Sequence, residues 1–334
     1  MSKAEVAIYK SLHELGVQPS QVRFRKVVHR FEQDKQWDYA ELEVSLLQGQ
    51  NVNRAADVFA RNLSAVPGRI GWKSPHKTDS ELELLVRVKG VPTHRLVLHT
   101  RQKRSLEKPL PAAVAQLAIV IDDLGYDWRL AQRFLDIEAP LSFSVLPHGT
   151  FSESIACRIY QTGGELLLHL PMEPKGYPRV DPGTGALLVG MTDAQLVQTL
   201  KKDLDSLPYI VGVNNHMGSR FCEYEEKMRL IMEILRERDL YFLDSRTSSK
   251  SKAYSVARQL GLPSVRRDVF LDNLQDAEAI RIQMKRLVHL ARLRGKAIGI
   301  AHPHEATLGV LKQTIPRLPE QGVELVTVSQ LLRE

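Results

Sequence analysis

From residue 116 onward the chain alternates short apolar runs with longer amphipathic stretches. Runs of strand length occupy 117–122, 141–146, 165–170, 210–214, 240–244, 264–271, 297–301 and 323–328. Helical spacing fills most of the intervals between them, at 128–135, 151–161, 193–206, 225–238, 253–260, 277–293 and 306–315. Strand and helix repeated seven or eight times predict parallel strands, in a barrel or a doubly wound sheet.

The first hundred residues follow another rhythm. Apolar positions at helical spacing run from 5 to 15, residues 39–44 alternate like a strand with one wet face, and Asn51 or Asn53 can cap a second helix reaching about residue 64. Strand-like pieces follow at 70–72, 82–88 and 95–98, with a turn at 90–92. These elements predict a small α+β domain, a helix pair on one antiparallel sheet. Residues 101–115 are charged and then rich in Pro and Ala, as a linker would be. The expected organisation is therefore an accessory or interaction domain over 1–100, a linker over 101–115 and a β/α domain over 116–334.

Composition agrees with two folded domains. The chain has 334 residues, of which 43% are hydrophobic and 25% charged, enough for a sizeable core and unlike a disordered or fibrous sequence. No apolar run reaches the roughly 18 residues of a membrane span, and the first residues hold no hydrophobic signal core, so the chain as given is expected to be soluble. Cys157 and Cys222 lack CxxC spacing and are expected to be small hydrophobes. Residues 1–110 carry 19 Lys+Arg against 12 Asp+Glu, whereas the remainder balances at 27 of each. The excess positive charge lies in the N-terminal third, which fits an anionic surface or a protein partner there. Its basic clusters are short, and specific nucleic-acid binding is not expected.

In a parallel β/α fold the site forms at the C-terminal ends of the strands, so what ends each run matters most. The endings are polar: Asp122-Asp123-Leu124-Gly125, Pro147-His148-Gly149, His169-Leu170-Pro171-Met172-Glu173, Asn214-Asn215-His216-Met217-Gly218, Asp244-Ser245-Arg246, Arg267-Asp268 with Asp272, and His302-Pro303-His304. Five of the six histidines after residue 110 (His148, His169, His216, His302 and His304) occupy such ends. Histidines and aspartates converging on one rim suit a divalent ion held by two imidazoles and a carboxylate, with a water in the open position, and such a site performs hydrolysis. Adjacent aspartates point to opposite faces of a strand unless the chain has begun to turn, and Gly125 supplies a turn. One of Asp122 and Asp123 would then bind the ion while the other accepts a proton. Ile298, Ile300 and His302 share a strand face, with His304 next on it if the strand continues past Pro303, and His302 is the preferred proton donor because it ends the regular strand.

Taken together, Asp122-Asp123-x-Gly125, Leu168-His169-Leu170-Pro171-Met172-Glu173-Pro174, Asn214-Asn215-His216-Met217-Gly218-Ser219, Phe242-Leu243-Asp244-Ser245 and Ala301-His302-Pro303-His304 resemble the divergent polysaccharide deacetylases over roughly residues 116–334. The resemblance implies a distorted parallel β/α barrel and hydrolysis of an N-acetyl or similar acyl group on a cell-envelope sugar polymer. It also implies a periplasmic or envelope address if an upstream leader has been removed, and a cytoplasmic one otherwise. It makes Asp122 the base, Asp123 a metal ligand and His302 the acid. Deacetylases at large take both metal histidines from one His-x-x-x-His turn, which this chain lacks, so His169 and His216 are expected to supply them from two strands. The usual Arg-x-Pro-x-Gly segment is also absent, with residues 214–220 in its place. The ion is expected to be divalent, zinc first. Asn214, Asn215 or Arg246 would contact the sugar or oxyanion, Asp244 and Asp268 would orient ligands, and His148 and His304 complete the rim. Residues 173–191 could cover the site as a lid. The rival readings are an inactive barrel that binds glycan or a protein, and another metal-dependent amidase or phosphoesterase.

Overall fold

The computed structural model describes residues 3–32, 35–47, 50–68, 70–100 and 114–333. The chain divides into two units, one comprising Met1–Ala112 with Asp272–His289 and the other Ala113–Leu271 with Leu290–Glu334. Chain order alone would give Asp272–His289 to the second unit. Residues 101–113 of the expected linker lie outside the described residues.

In the first unit, α1 (Lys3–Glu14) is followed by the hairpin β1 (Val22–Glu32) and β2 (Lys35–Ser45), then α2 (Val52–Ser64), β3 (Ile70–Lys77), β4 (Glu81–Val88) and β5 (Val91–His99). Helix α1 buries Ala4, Ala7, Ile8 and Leu12, spaced three and four apart, and α2 buries Ala55, Val58, Phe59 and Leu63. Asn51 caps α2 by accepting a hydrogen bond from Arg54 N at 2.7 Å. The strand order is β1-β2-β5-β4-β3. The expected antiparallel sheet is in fact mixed, because β5 lies parallel to β2; the connection through α2, β3 and β4 is long enough to return the chain in the same direction. Strand β1 was not anticipated. A bulge between Phe24 and Lys26 breaks its alternation, so that Val22, Phe24 and Val27 are the buried positions. Its basic residues are partly neutralised: Arg25 pairs with Glu43, which also meets His99 at 3.1 Å, and the Arg30 guanidinium lies 4.0 Å from the Tyr39 ring centre. Asp272–His289 contributes Arg286, whose guanidinium pairs with the buried carboxylate of Glu5 and lies 3.6 Å from Asp38.

The second unit holds β6 (Ala115–Leu124), α3 (Trp128–Leu135), β7 (Ser142–Val145), α4 (Ser152–Gln161), β8 (Glu165–Met172), α5 (Asp193–Asp205), β9 (Gly212–Met217), α6 (Glu225–Glu237), β10 (Tyr241–Asp244), α7 (Ala253–Gln259), β11 (Ser264–Arg266) and β12 (Val269–Phe270). After helix α8 (Ala277–Arg294), whose residues through His289 belong to the first unit, it continues with β13 (Lys296–Ala301), α9 (Glu305–Thr314), β14 (Val323–Leu325) and α10 (Val328–Leu332). The strands are parallel, in the order β11-β10-β9-β8-β7-β6-β13-β12, with β14 pairing beside β6. Strands β7, β8 and β10 are buried along their whole length, as a sheet covered on both faces requires.

The sheet curls into a distorted barrel. The single run expected at 264–271 is two short strands, because Arg267 and Asp268 change neighbours: Arg267 N donates to Asp244 O and Asp268 N donates to Ile298 O. The two ends of the sheet are thus consecutive pieces of one segment. Ala118, Val120, Leu167, Leu243, Ile298 and Ile300 share one apolar cluster. Two residues on from Val120, Leu167 and Ile300 along their strands stand Asp122, His169 and His302, so the alternation that fills the core delivers these side chains above it. A Cβ on Gly212 would strike the Tyr241 ring at 2.5 Å, which fixes glycine there, two residues before Asn214. No helix among the described residues is long and apolar enough to cross a membrane.

Candidate metal centre

Asp122 and Asp123 reach the same site because β6 is irregular where they stand. Its pairing with β7 shifts register between Ile121 and Leu124, and Asp123 adopts a left-handed φ of 57°. The turn expected of Gly125 therefore begins two residues earlier, at Asp123 itself.

Three atoms from three strands converge. Asp123 Oδ1 lies 2.9 Å from His169 Nε2 and 2.9 Å from His216 Nδ1, and the two nitrogens are 3.1 Å apart. Donor atoms each about 2.0–2.2 Å from a shared ion stand roughly 2.9–3.5 Å from one another, so the three match one face of a coordination shell. Asp123 Oδ1 is buried and has no donor in good hydrogen-bond alignment among the described residues, an orphaned oxygen where a cation would satisfy it. Electrostatics agree. Burial pushes the Asp123 carboxyl up, but His169 and His216 outweigh it and hold the group well below the usual carboxylate range. Burial likewise opposes a charge on His169, yet Asp122 and Asp123 overcome it and raise that imidazole. The centre favours positive charge, and its donor set of two imidazoles and one carboxylate fits a divalent ion.

Asn214 organises the layer beneath. It is fully buried; its Oδ1 accepts from Ser144 Oγ and stands 2.8 Å from His169 Nδ1. Its Nδ2 donates to Asp122 Oδ1 at 2.8 Å and to Ser245 Oγ at 3.3 Å. An amide oxygen only accepts, so His169 carries its proton on Nδ1 and offers the Nε2 lone pair to the centre. Asp122 is itself buried, and burial raises its carboxyl pKa against the opposing influence of His169 and His302.

His302 stands at the edge of this group, with Nε2 4.0 Å from Asp123 Oδ2 and its ring stacked on Phe270 at 5.9 Å. The structure thus brings Asp122, Asp123, His169, His216 and His302 together. His304 begins α9 instead of continuing the strand face, and its ring lies 6.1 Å from that of His302.

The remaining rim residues have other partners. Asn214 and Asn215 are both buried, and Asn215 spans β9 and β10 by donating to Met217 O and accepting from Ser245 N. Their amides hold strand ends together beside the centre, where a sugar or oxyanion contact was expected. Asp244 accepts from Arg246 N at 2.8 Å and from Ser251 Oγ at 2.9 Å, and so shapes the loop after β10. Asp268 accepts from Ile298 N and pairs with Arg294, each at 2.9 Å. These contacts secure the loop after β10 and the edge of β13. Arg246 has a left-handed φ of 50°, and its carbonyl accepts from Arg267.

His148 turns to Asp203 of α5, with 2.8 Å between Nε2 and Oδ1. Asp203 was not anticipated; nothing but its burial, invisible in a helix of polar residues, marks it out, and that burial pushes its pKa up to about 8. Ser144 was also missed, although a serine inside the apolar run of β7 was a signal. The segment 173–191 is a pinned strap. Glu173 accepts from Arg220 at 2.5 Å and from Val189 N at 2.6 Å, while Leu187 pairs with β8 through Pro171 O and Glu173 N.

Comparison with known proteins gives this arrangement its context. Residues 119–332 match the family described as divergent polysaccharide deacetylase. An uncharacterized protein of Escherichia coli, YibQ, is 36% identical over 243 residues, 73% of this chain and 75% of that protein. An uncharacterized protein of Haemophilus influenzae is 33% identical over 221 residues, 66% of this chain and 78% of that one. The crystal structure of an uncharacterized protein from Agrobacterium tumefaciens superposes with a TM-score of 0.63 at 26% identity, covering 67% of this chain and 92% of its own.

Proposed function

The chain belongs to the divergent polysaccharide deacetylases, and on that footing we propose that it is a metal-dependent hydrolase that removes an acyl group, N-acetyl first, from a cell-envelope glycan. The observation that carries this reading is the convergence of Asp123 Oδ1, His169 Nε2 and His216 Nδ1 beside a buried carboxylate and a third histidine. A divalent ion held by these three, zinc first, supplies Lewis-acid polarisation of a carbonyl and a lowered pKa for water.

The chain's own groups supply the proton transfers. Asp122 accepts a proton from the attacking water; burial strengthens it as a base, and the Asn214 bond to Oδ1 leaves Oδ2 for that task. The water oxygen bonds to the acyl carbon, the carbon–nitrogen bond breaks, and His302 delivers a proton to the departing amine. Acetate and a free amino sugar result. The first unit has no comparable donor cluster among its described residues, and we assign it a positioning role.

The test is acetate release from N-acetylated glycan fragments by zinc-loaded protein, run beside Asp122→Asn. The reading requires acetate from the wild type, and a loss of about a hundredfold or more in the variant with zinc still bound. Release of phosphate or an amino acid in place of acetate would overturn the acyl-sugar reading while leaving the hydrolase.

A further inference from the structure

Beyond the groups that face the substrate, a belt of contacts connects the two ends of the site. Arg267 is largely buried, donates from Nε to Ser245 O at 2.7 Å and from Nη2 to Arg246 O at 3.1 Å, and sets its guanidinium 3.7 Å from the Phe270 ring centre. Phe270 in turn stacks on His302 at 5.9 Å with the planes 25° apart. Ser245 also accepts from Asn214, which donates to Asp122. Asp122, Asn214, Ser245, Arg267, Phe270 and His302 are therefore joined in sequence, and Asp123 stands between the last and the first.

We propose that Arg267 and Phe270 are positioning residues that fix the plane of the His302 imidazole and tie it, through Ser245 and Asn214, to the Asp122 side of the centre. A cation over the Phe270 ring and an imidazole stacked beside it are both favourable contacts for that ring. The fork of Arg267 holding two successive carbonyls keeps the stack from sliding. The break between β11 and β12 serves this arrangement, since Arg267 occupies it and reaches back to the end of β10. The kinetic consequence rests on the reading of His302 as the acid; the fixed ring does not.

The experiment compares the zinc-loaded wild type with Phe270→Leu, Phe270→Tyr and Arg267→Lys. The His302 ring is followed by long-range proton–nitrogen NMR, zinc by metal analysis, and acetate release by steady-state kinetics. Phe270→Leu is expected to shift and broaden the His302 ring signals as the imidazole samples more than one orientation, and to leave zinc stoichiometry unchanged. It should lower kcat by about ten to a hundredfold with KM within about twofold. Phe270→Tyr is expected to restore both signals and rate, and Arg267→Lys to move them in the same direction as Phe270→Leu. Unchanged His302 signals in Phe270→Leu, or a loss of zinc in that variant, would overturn the proposal. If the wild type releases no acetate, the proposed reaction fails, and the NMR comparison alone decides the brace.

Discussion

Asn214 Nδ2 donates to Asp122 Oδ1 at 2.8 Å while the oxygen of the same amide faces His169 Nδ1. One side chain thus aligns the proposed base and a proposed ligand, and neither can rotate without disturbing the other. Replacing it by alanine leaves Asp122, His169, Ser144 and Ser245 short of a buried partner. Asn214→Ala is expected to cost about 2–4 kcal/mol of stability in urea denaturation, and to weaken zinc binding by about ten to a hundredfold.

Asp123 supplies the only carboxylate of the converging triad. In Asp123→Asn the size and the tolerance of left-handed backbone remain while the charge is gone. The metal-free variant is expected to fold. Addition of zinc, which should raise the Tm of the wild type, should leave that of the variant unmoved, since an ion stabilises only a state that binds it. Thermal melts with and without zinc check this.

His94 is buried in the first unit, where burial pulls its pKa down to about 4. Its folded pKa lies below the unfolded value of about 6.5, so the unfolded chain takes up the proton first as pH falls. Stability from this group is fully present above about pH 6.5 and is lost as pH falls toward 4, by as much as about 3 kcal/mol. His94→Gln is expected to flatten that part of the stability profile, measured by denaturation between pH 7 and pH 4 against the wild type.

Asp203 behaves in the opposite sense. Its folded pKa of about 8 lies above the ordinary carboxylate value, so stability is greatest below about pH 4 and declines as pH rises toward 8. Asp203→Asn keeps an oxygen for His148 and removes the ionisation. Its Tm relative to the wild type is expected to rise steadily between pH 5 and pH 8; a constant difference would rule out an ionising Asp203.

The barrel was legible because strand and helix alternate in hydrophobicity, and the rim because polar residues end apolar runs. Asp122, Asp123, His169, His216 and His302 come together as those endings implied. Partners were less legible, since periodicity reports faces and not distances. Asn214 meets residues 92 positions before it and 31 after it, and its burial has no local signature. Strand β1 hid behind a bulge, and the break at Arg267 and Asp268 hid within an apolar run that changes neighbours halfway.

The left-handed backbone at Asp123 carries a consequence for descent. Besides glycine, asparagine, aspartate and histidine enter this region most readily, and of these only aspartate brings a negative charge. A lineage that abandons the ion can drift to asparagine or glycine here with its barrel intact, whereas one that keeps a negatively charged ligand at this place is held to aspartate by the backbone. In a sequence sharing this bulge, asparagine or glycine at that position marks a centre that has given up its anionic ligand.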